Sequence, residues 1–247
     1  MNMILLNLRE RRMKKLIRIG VEKLNLVHST EMRGSIWSYG LVILIVAIAF
    51  SGSVCLATTK TAEDPHSKTE QIELVKTLRR GGNLLFFRHE RTDGFFKRTA
   101  KLSFKDCQSQ RNLSAAGVAS AKEIGLSLQF LEIPINEVWT SQMCRTIDTA
   151  KNLVGHYKVS KVFHSTRDKE KLRANLESLI NGLVPKTSNN ILVGHLGHIR
   201  LLYNQDVLEG DALVLSRRAG KVEVLGVLQS GHWNGLVMDK LNRVPGL

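Results

Sequence analysis

The apolar and polar positions divide the chain into two parts. From Gly34 to Thr59 there is no charged residue, and Gly40 to Phe50 is apolar on every face of a helix. Downstream the periods shorten. Ile72, Leu74, Val75 and Leu78 make a helical stripe that stops at Gly81 and Gly82, since glycine just past the last periodic residue ends a helix without steric cost. Asn83 to Phe87 is then a short apolar run, the pattern of a strand covered on both faces. Ser114 stands where an N-cap is needed for a second helix, whose apolar residues Val118, Ile124, Leu128 and Leu131 continue toward Pro134. Residues 137–141 predict the next strand and 146–154 the next helix. A further helical stripe runs through Leu172, Leu176, Leu179, Ile180 and Leu183, and residues 190–194 form another apolar strand with a short helix after it. Ala212 to Leu215 and Val222 to Leu228 flank Arg217 to Lys221, a hairpin signal. Strands alternating with helices predict an α/β fold: a three-layer sandwich with a mostly parallel central sheet, helices on both faces and an antiparallel edge hairpin.

The uncharged segment reaches the roughly 20 residues that span a bilayer if its Ser and Gly are included. A cleavable signal peptide fits equally well, with small residues at Ser51 to Ser53 and at Ala57 after the apolar run. Charge adds direction. The 247-residue chain carries a net +14, of which residues 1–34 hold eight Lys/Arg against Glu10, Glu22 and Glu31, a net of +5. A basic flank holds its end in the cytoplasm and sends the other side across the membrane. The expected organisation is a basic cytoplasmic leader at 1–34, a signal peptide or single transmembrane anchor at 35–57, a polar linker at 58–68 and one globular domain at 69–247. Both Met1 and Met32 can serve as the start.

Export changes how the cysteines read. Cys55 lies in the membrane-directed segment, which leaves Cys107 and Cys144 as an even pair in a compartment that permits disulfides. A bridge between them is expected.

In open α/β sheets ligands bind beyond the carboxyl ends of the strands. After the first strand come Arg88, His89, Glu90 and Arg91; after the second, Ser141 to Arg145; after the later one, His195 and His198. Two histidines and several arginines therefore converge. A neutral imidazole can attack phosphorus while guanidiniums neutralise the phosphoryl oxygens, so the set suits phosphoryl transfer through a covalent intermediate with no metal or cofactor.

Phe86-Phe87-Arg88-His89, the run from Thr140 to Ala150 containing Arg145, and Val193-Gly194-His195 resemble the three signature blocks of the histidine phosphatase superfamily, the phosphoglycerate mutase-like enzymes. The resemblance covers residues 70–230. It implies that His89 is the phosphate-accepting nucleophile, that Arg88 and Arg145 hold the phosphate and that His195 donates to it. Arg91, in the same basic cluster, is expected as a further substrate contact. The run Asp106 to Ser114 and the exported location are similar to small periplasmic members, among them lipopolysaccharide core heptose-phosphate phosphatases. The implied activity is hydrolysis of phosphomonoesters, with a cell-envelope sugar or lipid phosphate as substrate.

One residue departs from the family pattern. Where Gly or Ala usually follows the nucleophile this chain has Glu90, a carboxylate beside an anion site, unless it turns away or pairs with Arg91 or Arg98. Glu90 is therefore also a candidate general acid, beside Asp93, Glu209 and Asp211, and it motivates an alternative in which the chain binds phospho-ligands without turning them over. His195 and His198 are three apart, but no third ligand at metal spacing stands near them. No Gly-rich phosphate loop ending in Gly-Lys-Ser/Thr is present, and 6% aromatic content without an RNA-binding signature speaks against nucleic acid as a partner. The expected partners are the phosphorylated substrate and, through the N-terminal segment, a membrane.

Overall fold

The computed structural model describes residues 65–94 and 102–242. The basic leader, the apolar segment with Cys55, and Arg98 lie outside them. In chain order the elements are α1 (Pro65–Arg80), β1 (Asn83–Arg88), α2 (Ala115–Phe130), β2 (Ile135–Thr140), α3 (Cys144–Val154), β3 (Lys158–Val159), α4 (Lys169–Leu183), β4 (Asn189–Gly194), α5 (Leu196–Tyr203), β5 (Ala212–Arg218), β6 (Lys221–Leu228) and α6 (Trp233–Asn242). Helix α1 starts at Pro65, inside the stretch read as linker. Lys68 to Glu70 are exposed and extend the polar side of the stripe that begins at Ile72, so polarity alone marked a helix end as linker.

The sheet order is β3-β2-β4-β1-β5-β6. Strands β1 to β4 are mutually parallel, whereas β5 runs antiparallel to β1 and β6 antiparallel to β5. The fold is thus the expected three-layer α/β sandwich with a mostly parallel sheet and an edge hairpin. Alternation along the central strand explains why its run had no polar face. Leu85 and Phe87 point to one side with Ile191 and Val193, under Leu78 of α1, Ile124 and Leu128 of α2, Leu153 of α3 and Trp233 of α6. Leu84 and Phe86 point to the other with Leu192 and Leu213, under Leu176 and Ile180 of α4 and Ile199 of α5. A strand with helices on both sides must be apolar at every position.

Local signals act where the sequence placed them. Ser114 caps α2 by accepting the amide of Gly117 at 3.1 Å. The β5–β6 turn is two residues, Ala219 and Gly220, both at positive φ (46° and 82°), which matches the twist of a tight hairpin. Strand β2 begins at Ile135, earlier than its apolar residues suggest, because Glu137 bonds its amide to the Asn190 side chain and its carboxylate to the Trp139 indole and Lys158.

Candidate active site

Three parallel strands end side by side, and their last hydrogen bonds position the residues just beyond them. The amide of His89 donates to the Gly194 carbonyl at 3.0 Å and that of Ser141 to the Val193 carbonyl at 3.1 Å. Strand β5 runs the other way, so its beginning lies at this edge. The amide of Arg88 donates to the Asp211 carbonyl at 3.0 Å, and that of Gly210 reaches the carbonyls of Arg88 and His89. Antiparallel pairing therefore delivers Glu209 to the same place as the three strand ends.

His89 and His195 are buried, with ring centroids 5.5 Å apart and edge to face. Nδ1 of His89 lies 2.9 Å from the Glu90 carbonyl. A carbonyl only accepts, so Nδ1 carries the proton and Nε2 keeps its lone pair. Burial, opposed by that hydrogen bond and reinforced by the Arg145 and Arg88 charges, pushes the imidazole down to about 4. His89 is thus neutral near pH 7, as a nucleophile must be.

His195 is fixed from both nitrogens. Nδ1 accepts from Arg145 Nη2 at 3.3 Å, since a guanidinium has only donors, and Nε2 donates to Ser141 Oγ at 2.9 Å. Ser141 in turn lies 2.7 Å from Thr146 Oγ1, which donates to the Met143 carbonyl at 2.7 Å. That directed chain orients the ring. Burial first, then Arg145 and the neighbouring histidines, hold its pKa well below the ordinary value. Arg88 donates from Nη1 to the Val207 carbonyl at 2.8 Å and sets Nη2 3.5 Å from Glu209 Oε1. Its Nε is buried with no hydrogen-bond partner among the described residues.

The four candidate acids separate. Glu90 is fully buried; its carboxylate accepts from Ser120 of α2 at 2.8 Å and from the Arg91 amide at 3.1 Å, and it packs on Gly210. Burial raises its pKa, but no solvent or ligand reaches it, so it is not placed to protonate a leaving group. Its two oxygens are held by Ser120 and the Arg91 amide and face Gly210. Asp211 is a clamp: one oxygen accepts from the Leu208 amide and the other from the Ser230 amide, both at 2.8 Å. Of Asp93 the described contact is its amide, which donates to the Asn112 carbonyl. Glu209 is different. It is partly exposed, accepts from Thr92 Oγ1 at 3.1 Å, and lies 3.5 Å from Arg88, 3.9 Å from His89 Nδ1 and 3.9 Å from Arg111.

Arg91, expected at the substrate, is exposed, and the contacts described for it are backbone ones to Glu90 and Ser114. Cys107 and Cys144 are joined by a disulfide, Cα to Cα 5.7 Å. His198 packs on Phe163, whose backbone it bonds, and lies 5.3 Å from the His195 ring; burial pushes it down to about 4. Among the described residues no group of three or more His, Cys, Asp or Glu could hold a metal ion. Sequence reasoning missed His164, 5.7 Å from His195 between centroids, and Arg111. His164 follows β3, so the strand-end rule would have found it had that strand been visible.

No protein-family model matches the chain, and no curated protein does. Among solved structures it is similar to a phosphoserine phosphatase from Entamoeba histolytica in complex with phosphoserine, at 13% identity and a TM-score of 0.46 over 61% of this chain and 98% of that one. It is also similar to the protein histidine phosphatase SixA complexed with tungstate, at 14% identity and 0.45 over 61% and 98%. A third is the mycobacterial glucosyl-3-phosphoglycerate phosphatase, at 15% identity and 0.43 over 57% and 96%. Likenesses at this level assign neither family nor activity to this chain.

Proposed function

We propose that the chain is a metal-independent phosphomonoesterase that works through a phosphohistidine on His89. The observation that carries this is the hydrogen bond from His89 Nδ1 to the Glu90 carbonyl, which leaves Nε2 unprotonated on a ring that lies beside His195 and feels the charges of Arg88 and Arg145. In this reading the substrate phosphate sits between Arg88, Arg145 and His195. The Nε2 lone pair attacks phosphorus in line, the ester P–O bond breaks, and the departing alcohol oxygen takes a proton from Glu209. Water then attacks the phosphohistidine, Glu209 accepts its proton, and orthophosphate leaves. Arg145 gives up its bond to His195 for the phosphate, and a substrate arriving as the monoanion passes its proton to His195 Nδ1, so that the ring donates to the dianion that results.

The N-terminal charge pattern adds a location. The basic leader and uncharged segment direct the domain out of the cytoplasm, to the periplasm or to the outer side of a membrane anchor, where its substrate would be an envelope sugar or lipid phosphate. The +9 that remains outside the leader suits such anions.

The test is hydrolysis of an aryl phosphate by the purified full chain in EDTA, with acid-free quenching to trap labelled phosphoprotein. Native protein should turn over and carry label; His89→Ala should do neither. Turnover that survives in His89→Ala would overturn the mechanism. Glu209→Gln should slow alkyl phosphates at least tenfold more than aryl phosphates, whose leaving groups need little protonation.

A further inference from the structure

The segment from Leu102 to Leu113 touches the site at three separate points. Near its start Phe104 stacks on His164 with ring centroids 5.0 Å apart, and His164 in turn lies 5.7 Å from His195. In its middle Cys107 is bonded to Cys144, the residue before Arg145. Near its end Arg111 approaches Glu209 at 3.9 Å. Contacts thus run from Phe104 through His164, His195 and His89 to Glu209 and back to Arg111 of the same segment. The segment is a wall beside His195, Arg145 and Glu209.

The wall is built rather than incidental. Gln110 is buried, accepting the Cys144 amide at 2.8 Å and donating to the Ser103 carbonyl at 2.8 Å. Ser109 receives the Ser103 amide and donates to the Asp106 carbonyl. Phe104 nevertheless remains 41% exposed, an apolar ring held in water by a rigid loop beside the site. Holding it there costs hydration free energy that a bound apolar surface would recover.

Resting on the phosphatase reading, we propose that Phe104, backed by His164, is the specificity-determining face of this site. It takes phosphomonoesters whose leaving group presents a flat apolar ring face, in preference to short acyclic esters. The ring face lies on Phe104 while the ester oxygen stays near Glu209. His164 supports the stack as an uncharged ring, since partial burial and then the Arg145 charge lower its pKa.

Binding separates this proposal from the question of turnover. With the full chain in detergent, calorimetry should show phenylphosphonate binding about tenfold tighter than methylphosphonate. Phe104→Ala should bring the ratio of the two affinities close to one, and Phe104→Trp should preserve it. Equal affinities in the native chain, or a ratio that survives Phe104→Ala, would overturn the proposal. Labelling of His89 by acetyl phosphate is read in parallel. Ring preference without labelling would sink the phosphatase reading and leave the specificity face standing; labelling without ring preference would do the reverse. If neither phosphonate binds, the specificity face fails, and labelling alone decides the phosphatase reading.

Discussion

The position of one proton on His89 controls the chemistry assigned to it. Because burial and two guanidiniums push the ring down to about 4, the imidazole stays neutral where a free histidine would be half protonated. Single-turnover phosphorylation by acetyl phosphate should therefore show no loss from protonation of the nucleophile between pH 7.5 and 5.5, and should fall only as pH approaches about 4. A midpoint near the ordinary 6.5 would contradict the described environment. Gly210 makes a second single-residue case. It sits at φ +89°, and a Cβ there would collide with the Glu90 carboxylate. Gly210→Ala should cost on the order of 2 kcal/mol by thermal unfolding, from left-handed backbone strain plus the clash. It should also depress activity by displacing Glu209 and Asp211 on either side. At this scale the sequence brought His89, Arg88, Arg145 and His195 to one edge of the sheet, because a strand end fixes where the next side chain begins. It could not choose among Glu90, Glu209 and Asp211, because the choice depends on which way each carboxylate turns after the backbone has been placed.

Among elements, the parallel strands and their helices were legible because their apolar periods are strong. Strand β3 was invisible, as it consists of Lys158 and Val159, both exposed, and has no period to read. His164, just beyond it, was lost for the same reason. The pairing of β5 against β1 was hidden too, since direction leaves no mark on hydrophobic alternation; it is what converts Glu209 from a residue before a strand into a residue of the site. The disulfide closes a loop with a sequence separation of 37. Replacing both Cys107 and Cys144 by Ser should lower stability by about 3–4 kcal/mol on the chain-entropy account, measured by urea unfolding. It should also raise KM for aryl phosphates more than it lowers kcat, since the wall is loosened while His89 and Arg88 remain on β1 and its end.

For the whole molecule, four histidines with lowered values share one edge of the sheet: His89, His164, His195 and His198. All have folded-state values below the ordinary 6.5, so the unfolded chain takes up protons first as pH falls. For His89 the stability this allows is complete above 6.5 and is lost progressively toward about 4, by roughly 3 kcal/mol, and His198 adds a loss over the same window. The melting temperature should accordingly drop steeply between pH 6.5 and 4.5, and His198→Phe should flatten that drop. An equally steep drop in that variant would remove His198 from the account. The same edge gives the disulfide a meaning in time. A newly made chain whose thiols are still reduced would already have His89, Arg88 and His195 in place, because strand ends supply them, but its wall would be unfastened. On the proposed export, oxidation after translocation would then act as a maturation step, fastening the wall only once the chain has crossed the membrane.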